Sequence, residues 1–94
     1  MKSIIEQLKD LPITAQFEQD TQGVYGEIVE FPDEFEEEAT QEDTIKELAK
    51  GLKGWACVLA GEGLKGVDTQ QVPYILKALV STEEEIIQCL KNSK

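Results

Sequence analysis

The sequence predicts an α+β fold: a small antiparallel sheet of two to three strands packed on one long helix (β-β-β-α), with a short N-terminal helix and a C-terminal helical hairpin. Three observations predict it. Ile13, Ala15 and Phe17 alternate with Thr14, Gln16 and Glu18, the period of a half-buried strand. The turn residues Asp20-Thr21-Gln22-Gly23 follow, and a second run from Val24 to Phe31 closes an antiparallel hairpin. Beyond an acidic connector, Ile45, Leu48, Leu52, Trp55, Ala56 and Leu59 recur at helical spacing and give one broad apolar face.

The remaining elements fall around these. Ser3 and Glu6 have the spacing of a capping box, opening a helix over residues 3–11 with Ile4, Ile5, Leu8 and Leu11 on one side. Pro12 ends it. Pro32-Asp33 is expected to break the second strand, because proline has no N–H for a ladder. Residues 34–40 read either as loop or as a short edge strand whose charges block unwanted strand addition. The main helix is expected to start at Asp43-Thr44, with Thr44 and Glu47 as a second capping box. Gly51 and Gly54 each cost about 1 kcal/mol against alanine inside a helix, so they read as close-packing positions against a sheet or a second helix. Gly61, Gly63 and Gly66 stop that helix. Two further helices follow, over roughly 69–80 (Val72, Ile75, Leu76, Leu79 and Val80 inward) and 82–92 (Ile86, Ile87 and Leu90 inward).

Ninety-four residues make one domain, 1–94, with 13–60 as its β-β-β-α core and 67–94 as a helical extension. A chain this short buries only about 60–65% of its unfolded surface. A homodimer or higher homo-oligomer is therefore expected, with Gly51, Gly54 and Trp55 as its interface.

The formal net charge is -10, every cation is a lysine, and there is neither arginine nor histidine. Residues 1–60 hold 14 acids against 5 lysines, and residues 61–94 hold 5 acids against 4 lysines. An acidic chain repels phosphate backbones and has no arginine fork to read a base edge, so direct nucleic-acid binding is not expected. The final helical pair imitates a helix-turn-helix, but Glu83-Glu84-Glu85 would meet the groove first. No membrane span or signal peptide is visible, and Cys57 and Cys89 read as reduced, partly buried thiols of a cytoplasmic protein.

No catalytic constellation is visible. Cysteine catalysis would want a histidine base, and two separated cysteines without histidine make a poor zinc site. The run Gly61-Glu62-Gly63-Leu64-Lys65-Gly66 follows a helix instead of a strand, which does not suit a dinucleotide fingerprint. The acids around Glu36 to Asp43 fit no calcium loop. The expectation is a non-enzymatic chain with no cofactor and no metal.

Residues 13–60 resemble the HicB-like antitoxin family in Gly23-Val24-Tyr25, Phe31-Pro32-Asp33, Asp43-Thr44 and Glu47, taken in that order and spacing. The resemblance implies a small partial ribonuclease H-like domain that binds a small RNA-cleaving toxin. Many members add a C-terminal DNA-binding module, whose basic character residues 61–94 lack. The connector departs from the family pattern at Glu34-Phe35-Glu36 and at Glu42. A basic toxin is then the expected partner, met through Glu34, Glu36, Glu37, Glu38 and Glu42 acting as phosphate mimics. The alternative is a self-associating structural module with no toxin partner.

Overall fold

The computed structural model describes residues 1–92, so the last two residues of the 67–94 extension lie outside the described residues. The elements are α1 (Ile4–Asp10), β1 (Ala15–Gln19), β2 (Val24–Ile28), β3 (Phe31–Glu38), α2 (Gln41–Gly61), α3 (Val72–Val80) and α4 (Glu83–Lys91). The strands form one antiparallel sheet in the order β1-β2-β3, with α2 lying against β2, β3, α3 and α4. The predicted α+β class holds, including the long helix after the strands and the C-terminal helical pair.

The first hairpin closes on an Asx turn. The Asp20 carboxylate accepts from the backbone N–H groups of Gln22 (2.7 Å) and Gly23 (3.0 Å). Gly23 is there for space, since a β-carbon would lie 2.3 Å from the Glu38 carbonyl oxygen. At the other end of β2, Glu30 reaches back to β1. Its two carboxylate oxygens accept from the backbone N–H and the hydroxyl of Thr14, both at 2.7 Å.

The second strand is shorter than expected and the third longer. β2 stops at Ile28, Val29-Glu30 is a turn, and Phe31-Pro32-Asp33 opens β3 instead of breaking the sheet. Proline is tolerated there because β3 is an edge strand and its register slips beside it. Ile28 pairs with Phe31, but Glu27 pairs with Phe35, which displaces the register by three residues. An odd displacement exchanges the faces of everything that follows. Glu34 therefore turns inward and Phe35 outward, where an unbroken ladder would have done the reverse.

The main helix begins earlier than its sequence signals indicated. Thr40 is the N-cap, accepting from the Asp43 N–H at 3.1 Å. Thr44 lies inside the helix and is fully buried. Its hydroxyl donates to the Val24 carbonyl at 2.7 Å and accepts from the Glu38 N–H at 3.2 Å, fastening α2 across β2 and β3. A threonine that looked like a cap is a stitch between helix and sheet.

One buried cluster joins the layers. Ile13, Ala15, Ile28 and Phe31 of the sheet side meet Ile45, Leu48, Ala49, Leu52 and Ala56 of α2, and Ile75, Ala78, Ile86, Ile87 and Leu90 of α3 and α4. The Lys53 ammonium donates to the Ala78 carbonyl (3.0 Å) and to that of Ser81, satisfying the C-terminal end of α3. Lys77, itself buried, donates to the Lys9 carbonyl near the end of α1. The last helix carries a full capping box between Thr82 and Glu85.

Several inward expectations fail. Trp55 is 45% exposed, Cys57 is exposed, and Leu79 stands at the surface. Ile4 is 75% exposed and Ile5 also lies open, because α1 packs on α3 without burying any of its residues. Its Ser3 cap makes half of the expected box: the hydroxyl accepts from the Glu6 N–H, while the Glu6 carboxylate meets that hydroxyl and not the Ser3 backbone. The helix expected from 69 begins at Val72, where Pro73 suits the first turn.

Candidate protein-binding surface

Alternation along the strands sends Val24, Gly26 and Ile28 toward α2 and leaves Gln16, Glu18, Tyr25, Glu27, Phe35 and Glu37 on the opposite face of the sheet. At its centre Tyr25 and Phe35 lie 6.2 Å apart with tilted rings, and Phe35 is 57% exposed. Around them stand Glu18, Glu27 and Glu37, with Asp20 at the hairpin end. A shallow concavity of about 440 Å³ lies between Gln16, Phe17, Glu18, Tyr25 and Glu27.

The charge on this face is not neutralised from within. Among the described residues the ion pairs are Lys2 with Asp10, Lys9 with Glu85 (3.5 Å) and Lys46 with Glu42 (3.6 Å), all elsewhere. Burial raises the Tyr25 phenol above its ordinary value, and the neighbouring Glu27 and Glu18 carboxylates add to the effect. Glu37 is held high by its hydrogen bond to Asp20. Asp20 is held low, first by the Gln22 N–H and then by Glu37.

The five acids singled out from the sequence do not face one way. Glu37 lies on the open face, Glu36 and Glu38 line the α2 side of the β3 edge, and Glu42 sits in the first turn of α2 beside Lys46. Glu34 is 3% exposed and lies beneath Gly51, with its Oε1 atom buried and without a hydrogen-bond partner. Burial pushes its carboxyl up to about 8, and a hydrogen bond with the Glu36 carboxyl and the charges of Glu36 and Glu47 add to the effect. The sequence pattern put Glu18 on the polar side of its strand, but it did not single out Glu18, Glu27 or Phe35 as partner-binding groups. The strand alternation around Tyr25 carried the signal for Glu18 and Glu27, whereas Phe35 depended on the slipped register.

Of the three positions expected at an oligomer interface, Gly51 is filled from within by Glu34, Gly54 has open space in front of it, and Trp55 is exposed beside Val58. Among the described residues no group of three or more acidic, histidine or cysteine side chains is gathered to hold a metal ion. No described helix is long and apolar enough to cross a membrane.

A three-stranded sheet with one bare acidic face, backed by a long helix, defines a class of small α+β scaffold. No family model and no curated protein matches the chain. Its architecture is similar to a solved structure from Syntrophomonas wolfei subsp. wolfei, described as the antitoxin part of a candidate toxin/antitoxin system. The TM-score is 0.79 at 26% identity, and the match covers 93% of this chain and 66% of that one. The fold is thus antitoxin-like.

Proposed function

We propose that this chain is a non-enzymatic protein-binding domain of the antitoxin type, HicB-like in its β-β-β-α core, that captures a basic RNA-cleaving toxin. The observation that carries the reading is the bare face of the sheet, where Glu18, Glu27 and Glu37 surround the Tyr25–Phe35 pair with no lysine among the described residues paired to them. Aromatic rings supply rigid contact area at the centre of an interface. The carboxylates steer a cationic surface toward it and stand where substrate phosphates would. Glu36, Glu38 and Glu42 extend the same charge over the β3 edge. The likeness to the Syntrophomonas wolfei antitoxin supports the reading.

Co-expression with the product of the adjacent reading frame tests it. A stoichiometric complex with a short basic protein that arrests growth when expressed alone is the expected result. Failure of such a protein to bind would count against the antitoxin role. It would favour the second reading, self-association through Gly54, Trp55 and Val58 of α2, for which their exposure speaks. Sedimentation equilibrium of the chain alone measures that association directly.

A further inference from the structure

A second concavity, of about 500 Å³, lies on the other side of the sheet, in the seam between β3 and α2. It is lined by Glu34, Glu36, Gly51, Gly54, Trp55 and Val58. Trp55 and Val58 are exposed and give it an apolar wall. Its floor is different. The Glu34 carboxyl occupies the space that any side chain at position 51 would fill, and its buried Oε1 atom has no hydrogen-bond partner among the described residues.

We infer that this seam is a receptor for one lysine or arginine side chain of the basic protein partner, taken up between Glu34 and Glu36 with its methylene stem against Trp55. The inference rests on the proposed capture of a basic protein. An unsatisfied buried oxygen calls for a donor, and a guanidinium or ammonium supplies several in one group. The groups facing Glu34 are Glu36 from its own strand and Glu47 from α2, both acidic, so the local field favours a cation. A flat apolar stem beside a charged end suits the Trp55 wall.

Charge decides between occupants. A second copy would bring a chain of net charge -10 and no arginine against the acidic side chains Glu34, Glu36 and Glu47, of which Glu34 holds its proton below about 8. On its own α2, Lys53 is committed to the carbonyls ending α3, Lys46 lies beside Glu42, and the exposed Lys50 is not among the charges that act on Glu34. A basic partner brings what the site lacks.

The test uses the full chain and two small probes, N-butylguanidinium and its uncharged analogue N-butylurea, followed by amide and indole chemical shifts. Saturable shifts centred on Gly51 and Trp55 are expected with the cation at millimolar concentration at pH 9, where Glu34 carries its charge. N-butylurea, and the cation on the E34Q variant, should bind about tenfold more weakly, the loss of one hydrogen bond to a charged group. E36Q provides a second variant at the solvent side of the same pair. Equal responses to the two probes, or no saturable shift, would overturn the inference. So would shifts at these residues that follow protein concentration alone, since a second copy would then fill the seam. A negative result alongside an intact complex with the basic partner would reject the seam and leave the antitoxin reading standing.

Discussion

A β-carbon on Gly51 would lie 2.0 Å from Glu34 Oε1, so the glycine of the helix and the carboxyl of the strand occupy complementary space. The contact falls on the tip of a flexible side chain and not on backbone. Gly51→Ala is therefore expected to keep the fold and to turn the Glu34 carboxyl out toward solvent. Its titration midpoint, followed by carboxyl carbon shifts, should drop from about 8 toward the ordinary value of 4.5. Gly54→Ala, which meets nothing within 4 Å, should instead raise stability by up to about 1 kcal/mol through helix propensity.

Glu34 also sets a pH dependence. Its carboxyl is raised in the folded state, so the folded chain keeps a proton that the unfolded chain releases. Its contribution to stability is full below about 4.5 and is lost as pH climbs from there through about 8. Glu34→Gln cannot ionise. Relative to the native chain it should gain on the order of 3–5 kcal/mol at pH 9, since each unit between 4.5 and about 8 is worth about 1.4 kcal/mol, and little or nothing at pH 4. Urea unfolding at the two pH values reads the difference; a gain that did not change with pH would contradict the assignment.

Thr44→Val keeps the shape of the side chain and removes the bonds to Val24 and Glu38. A loss of about 1–3 kcal/mol is expected, since both backbone groups would be left buried without that partner. Equilibrium unfolding measures it. An unchanged midpoint would show that helix and sheet are held by apolar contact alone.

Lys53→Met removes the donor that ends α3 at Ala78 and Ser81 while keeping the stem packed. The expected cost is about 0.5–1 kcal/mol, concentrated in α3 and α4. Hydrogen exchange should quicken there and stay unchanged in the sheet.

Reversal of Glu18, Glu27 and Glu37 to lysine should slow association with the basic partner about tenfold or more at low salt, with the effect fading as salt rises. Glu62→Lys with Glu83→Lys and Glu84→Lys, at the end of α2 and the start of α4 and outside the strands, provides a control of equal charge change. Equal slowing by both variants would mean that net charge, and not this face, governs the encounter.

The sequence by itself determined the kinds of element and the sign of the surface. Alternation at Ile13, Ala15 and Phe17 and helical spacing from Ile45 onward follow from backbone geometry, which any buried layer must obey. An acidic chain without arginine also remains acidic however it folds. Only the tertiary structure decided which way β3 faces: the three-residue slip after Ile28 buried Glu34 and exposed Phe35, and no local preference encodes an odd displacement between two strands. Tertiary packing likewise decided that Thr44 is a stitch and Trp55 a surface residue. The sheet, α3 and α4 cover a limited arc of α2, and the apolar face drawn from its sequence was wider than the arc they cover.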